Sequence, residues 1–232
     1  MPASPPVPIS GSISDHASRS DALQRKGFGP RVRKLHARIG KAHHQAEGMV
    51  FSKALLAGEV TPLQLAALFR AVAPAYQFLE QAAPSLAYRL GARSMPWPEL
   101  ARTAALELDL CNLSGLPATP DSVAATTWLE QLHELADHSP HRLMAHVYVR
   151  YGGDLSGGQQ LGSQASAILE KNGWPAASFW LFERPIAELK ASLHAAFEEL
   201  ELSDFQEQEL LEEAEAAFHA TQRLLAELAL LH

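Results

Sequence analysis

From residue 30 to the C-terminus, apolar side chains recur every three or four positions and almost never alternate. That period belongs to helices buried along one stripe, so it restricts the chain to a fold of packed helices. Composition matters here in one respect. Ala and Leu supply 74 of the 232 residues, against 13 for Ile and Val together, so strand-favouring side chains are scarce. A β-sandwich, a β-barrel and a parallel-sheet nucleotide fold are thereby excluded. The expectation is one all-α domain over residues 30–232. Residues 1–29 hold Pro2, Pro5, Pro6 and Pro8, several serines and a single aromatic, Phe28, and are expected to form a disordered tail.

The first helix carries Val32, Leu35, Ile39, Ala42, Ala46 and Val50 on one face and should stop near Gly58. Thr61-Pro62-Leu63-Gln64 combines an N-cap, a proline at the first helical position and a capping-box partner. That helix should run towards Gln81 and kink at Pro74. Further helices are expected near 98–110, 122–136, 141–171, 185–199 and 204–231. The last opens on a second capping box, Ser203 with Gln206.

Net charge is −7, which argues against a nucleic-acid binder. The charge is uneven. Arg31, Arg33, Lys34, Arg38 and Lys41 form a basic run without acids, whereas twelve acids and three bases follow from Glu183 onward. The run reads either as a solvated face or as a patch for an anionic ligand or acidic partner. A single Cys excludes a disulfide framework and a thiolate zinc cluster, so any metal must be held by imidazole or carboxylate. No stretch is long and apolar enough for a membrane span, and no secretory leader is evident, so a soluble cytoplasmic protein is expected.

Two features depart from a plain bundle. Gly152, Gly153, Gly157, Gly158 and Gly162 fall within eleven residues of the expected 141–171 helix. Each glycine inside a helix costs about 1 kcal/mol relative to Ala. Spacing alone leaves two alternatives: a loop joining two helices, or a bent helix whose backbone approaches something flat and bulky. The second feature is His43-His44. His43 borders the buried stripe of the first helix, with Glu47 one turn on. It reads as a partly buried imidazole satisfied by Glu47, or as a metal ligand whose other nitrogen Glu47 orients.

Tyr148-Val149-Arg150-Tyr151-Gly152-Gly153-Asp154-Leu155-Ser156-Gly157-Gly158-Gln159 resembles the distal-helix signature of the haem oxygenase family, approximately Y-x-R-Y-x-G-D-L-S-G-G-Q. His43-His44-Gln45-Ala46-Glu47 is similar to the family's proximal H-x-Q-A-E. Tyr76 with Leu79-Glu80, Ala104-Ala105-Leu106-Glu107 with Asp109-Leu110, Leu132-His133-Glu134, and Glu212-Glu213-Ala214 with Phe218 also fit. The resemblance covers residues from about 30 to the end.

The resemblance implies a helical bundle with haem b between a proximal helix and a kinked, Gly-rich distal helix. It favours the bent helix over the loop. His43 would be the iron ligand, oriented by Glu47, and Gly153, Gly157 and Gly158 would let the distal backbone lie against the porphyrin. Asp154 would anchor a proton-delivering water network, with Tyr76 and Arg150 in support. Tyr148, His36, Lys190 and His194 would face the propionates, although animal members carry Lys and Arg where this chain has His36 and His194. The implied reaction opens the haem ring with O2 and reducing electrons, giving biliverdin, carbon monoxide and ferrous iron. A non-catalytic haem carrier or sensor on the same fold is the alternative. The family's C-terminal membrane anchor is not seen, which implies a soluble bacterial-type enzyme. A soluble reductase or ferredoxin would then dock on the Arg31–Lys41 run, and a biliverdin-using photoreceptor is a candidate consumer of the product.

Overall fold

A computed structural model of the protein describes residues 28–231, so the expected tail lies outside the described residues except at its end. Among the described residues all regular structure is helical: α1 (Pro30–Glu47), α2 (Val50–Ala57), α3 (Pro62–Arg89), the single turn α4 (Trp97–Leu100), α5 (Thr103–Asn112), α6 (Val123–His138), α7 (Pro140–Asp154), α8 (Gly158–Lys171), α9 (Ile186–Glu198) and α10 (Asp204–Leu228). The long helix α10 packs against α7 and α1, while α3 packs against α5, α6 and α7. One apolar core runs through all of them.

Local signals placed several ends. Thr61 and Ser203 cap α3 and α10 through complete capping boxes with Gln64 and Gln206. Helix α3 runs beyond Gln81 and continues through both Pro74 and Pro84. The stretch expected as one helix from residue 30 to Gly58 is two. The backbone turns extended at Met49 (φ −70°, ψ 153°), which redirects α2 so that it packs against α8. The expected 98–110 helix is likewise divided, into α4 and α5.

The structure adds two findings about the N-terminal region. Phe28 belongs to the fold rather than to a tail: its ring stacks on His36 with centroids 4.8 Å apart. The basic run is mostly solvent-facing, with only Arg31 buried, but much of it is paired within the molecule. Arg31 is buried, donates to the Phe197 carbonyl and pairs with Glu207, Lys34 pairs with Glu207 at 2.6 Å, and Arg38 pairs with Glu215 at 3.0 Å. Three of its five cations therefore fasten α1 to the acidic helix α10.

Candidate active site

Helices α7 and α8 meet at a three-residue bend, Leu155–Gly157, whose backbone stays right-handed (Leu155 φ −78°, ψ −2°; Gly157 φ −60°, ψ −29°). Among the described residues positive φ occurs only at Gly58, Gly91 and Gly173, so none of the five clustered glycines serves a left-handed turn. What they provide is space, and in two different ways. A Cβ at Gly153 or Gly157 would meet nothing within 4 Å. A Cβ at Gly158 would lie 2.8 Å from Cδ1 of Trp180, and one at Gly162 would lie 2.6 Å from its Cβ. Gly158 and Gly162 are thus the seat of the Trp180 indole, whereas Gly153 and Gly157 open onto a cleft.

The segment carrying Trp180 is tied down by polar groups. Asp109 accepts the backbone N–H groups of Ser178 (2.7 Å) and Phe179 (2.8 Å). The Arg102 guanidinium donates to the carbonyls of Phe179 and Leu181 and lies 3.9 Å from the Phe182 ring centroid. Gln159 closes the bend, its amide donating to the carbonyls of Asp154 (2.9 Å) and Trp180 (3.2 Å).

The cleft lies between α1 and α2 on one side and the α7–α8 bend on the other. Phe51, Leu55, Val72, Phe179, Trp180 and Phe218 make its walls apolar. His43 stands on the α1 side, with its Nδ1 3.7 Å from Glu47 and its ring edge-on to Phe218. The side chain of His43 is 47 % exposed, whereas that of His44 is 91 % exposed and points away from the buried stripe. Glu47 lies within 3.5 Å of His44 Nδ1, so its carboxylate serves both imidazoles.

Asp154 lines the same cleft but is only 3 % exposed. The Tyr76 hydroxyl donates to its Oδ2 at 2.5 Å and in turn accepts from Arg150 Nε at 3.3 Å. Arg150 also donates to the Thr221 hydroxyl at 3.0 Å. Burial pushes the Asp154 carboxyl up to about 6, against the opposing pull of Arg150, the Tyr76 hydrogen bond and Arg102. Burial also raises the Tyr76 phenol well above its usual range, so Tyr76 stays a donor.

The four residues expected at the propionates form a separate group, and none of them lines the cleft. The rings of His36, Tyr148 and His194 have centroids 6.0–6.2 Å apart, and Phe28 packs edge-on to His194 at 4.7 Å. Burial, Lys190 and His36 together depress His194 to about 4, so it is neutral at neutral pH. The Tyr148 hydroxyl is buried without a hydrogen-bond partner among the described residues.

Sequence reasoning missed Trp180, Thr221 and a buried network around Glu213. Glu213 accepts from Arg142, Gln131 and His146, and His146 accepts from Trp128. No spacing signal links these residues, because each pair joins different helices.

A family model described as Heme oxygenase matches residues 32–227. Human Heme oxygenase 1 is 31 % identical over 202 residues, covering 81 % of this chain and 68 % of the relative. The heme oxygenase of Rhodella violacea is 29 % identical over 193 residues, covering 81 % and 82 %. Among solved structures, heme oxygenase from Leptospira interrogans superposes with a TM-score of 0.78 at 27 % identity, covering 86 % of this chain and all of that one. Heme oxygenase-1 from Synechocystis, solved in complex with heme, gives a TM-score of 0.73 at 25 % identity, covering 86 % and 92 %.

Proposed function

The chain belongs to the haem oxygenase family, and from that premise we propose that it cleaves the porphyrin ring of haem to biliverdin, carbon monoxide and ferrous iron. The observation that carries this reading is a lone imidazole, His43, on one side of an apolar cleft whose other side, at Gly153 and Gly157, has no side chains. Among the described residues no three metal-binding side chains converge. A single imidazole suits an iron that brings its remaining ligands with it, and a flat apolar macrocycle suits the glycine wall. The donor set and the cradle therefore fit haem b.

Bound haem would supply both the iron that activates O2 and the meso bridge that is lost. His43 would hold the iron through Nε2, because its Nδ1 faces Glu47, and that carboxylate would keep the ring oriented. Gly153 and Gly157, with no side chains, would let the macrocycle lie close to the backbone. Tyr76 occupies Oδ2 of Asp154, which leaves Oδ1 to hold a water in the cleft. A carboxyl near 6 exists in both protonation states around neutrality, so Asp154 can take and return a proton through that water. Arg150 supports the ionised state. The apolar walls would keep bulk water away from a bound macrocycle.

Reducing electrons come from a soluble reductase or ferredoxin, for which the exposed Arg33 and Lys41 remain on α1. A biliverdin-using photoreceptor is the proposed consumer of the product. No helix among the described residues is long and apolar enough to cross a membrane. The test is to load the protein with hemin, add reductant in air, and quantify carbon monoxide and pigment. Equimolar carbon monoxide with a linear tetrapyrrole supports the proposal, and haem bound unchanged refutes it.

A further inference from the structure

Four polar side chains stand one turn apart along α7: Arg142, His146, Arg150 and Asp154. The last two belong to the cleft, and the first two lie outside its lining. Glu213 of α10, 1 % exposed, accepts from Arg142, from Gln131 at 2.8 Å and from His146 Nε2 at 2.9 Å. Trp128 of α6 donates its indole N–H to His146 Nδ1 at 3.1 Å. An indole can only donate, so Nδ1 must be bare and the imidazole proton must sit on Nε2, towards Glu213. The indole is therefore locked at its N–H edge by a pair whose tautomer is fixed.

Its face has a different neighbour. The Arg150 guanidinium lies 5.5 Å from the Trp128 ring centroid and 5.7 Å from that of Tyr76, both within cation–π range. Its hydrogen bonds go to two neutral hydroxyls, of Tyr76 and Thr221, rather than to a carboxylate. Arg150 is thus a cation kept beside Asp154 without directly pairing with it.

We propose that Trp128 is a positioning residue: its indole face holds Arg150 against the Tyr76 hydroxyl, and the His146–Glu213 pair fixes the indole, so that Asp154 keeps its cationic neighbour. Only the consequence for catalysis rests on the haem oxygenase reading. Several groups face Asp154. Tyr76 and Glu80 come from α3, Arg150 and Tyr151 from α7, and Arg102 from the start of α5, while His43 and Glu47 of α1 line the same cleft. Arg102 is anchored by backbone carbonyls and does not depend on Trp128. Arg150 is the cation that does. Losing it disfavours the ionised carboxyl, so the Asp154 titration must move upward.

The test uses the full chain without haem. The infrared band of the protonated Asp154 carboxyl, assigned by its loss in Asp154→Asn, is titrated in native protein, Trp128→Met and Trp128→Phe. Trp128→Met removes the π face, and its midpoint should rise by about half a pH unit or more. Trp128→Phe keeps a face and loses only the N–H, so its midpoint should stay within about 0.2 of native. If Trp128→Met does not fold, Trp128→Leu takes its place. An unmoved midpoint without the ring, or an equal rise with Phe, overturns the proposal. In hemin-loaded protein the acid limb of ring opening should move by the same amount. Absence of ring opening in the native protein would sink the functional reading, while the carboxyl titration would still decide the role of Trp128.

Discussion

The Tyr76 hydroxyl sits 2.5 Å from Oδ2 of Asp154, and neither residue is more than 3 % exposed. That bond joins the long helix α3 to the last residue of α7, just before the bend. It places a neutral donor on a carboxyl that burial holds near 6.

A raised carboxyl has a defined effect on stability. Between 3.8 and about 6 the folded state binds more protons at Asp154 than the unfolded state, so native stability falls as pH rises through that window. The two-unit shift corresponds to at most about 3 kcal/mol. Asp154→Asn removes the dependence, so its stability relative to native should improve from pH 4 to pH 7. Denaturant melts at both values measure this, and an equal difference at the two pH values would contradict it.

Tyr76→Phe deletes a hydrogen bond that favours the ionised carboxyl. The acid limb of ring opening should therefore move to higher pH, with haem affinity close to native. A uniform fall in rate with an unmoved limb would show that Tyr76 only packs.

His43 and His44 should separate cleanly. His43→Ala should lose the imidazole-ligated visible spectrum and regain it when free imidazole is added. His44→Ala, altered at a side chain 91 % exposed, should match native. Glu47→Ala should weaken haem affinity by about tenfold or more through the orientation of His43. Hemin titrations of the three variants test the assignment.

The glycines should fall into two classes. Gly153→Leu projects into the cleft, so the fold should survive, gaining about 0.5–1 kcal/mol of helix propensity, while haem binding is lost. Gly162→Ala collides with Trp180 and should destabilise by about 1–3 kcal/mol through overpacking. Thermal melts set beside hemin titrations separate the two.

Arg31→Ala should act on the fold rather than on electron transfer. It removes the donor to the Phe197 carbonyl and a partner of Glu207 across the α1–α10 seam, at about 1–3 kcal/mol. Glu substitutions at exposed Arg33 and Lys41 should instead slow donor-driven turnover and leave the melting temperature near native.

Local chemistry was legible in the sequence. The Thr61–Gln64 and Ser203–Gln206 boxes are decided within four residues, and both helices start where they indicate. The break at Met49 was not legible, because it serves the packing of α2 on α8, more than a hundred residues away. The glycine cluster was visible as an anomaly, yet its division depends on Trp180, which no spacing rule connects to Gly158 or Gly162. The pairing of Arg31, Lys34 and Arg38 within the molecule was not legible in the basic run, because their partners, Glu207 and Glu215, lie at the far end of the chain. His36 and His194 were legible as a departure from the animal members. Their packing against Phe28, and the neutrality of His194, appear only in three dimensions.

The most direct measurement is a crystal structure of the hemin complex of the full chain. The account predicts His43 Nε2 bonded to iron, with the backbone at Gly153 and Gly157 against the opposite porphyrin face and Asp154 above it. Iron held by any other side chain, or hemin bound outside this cleft, would contradict it.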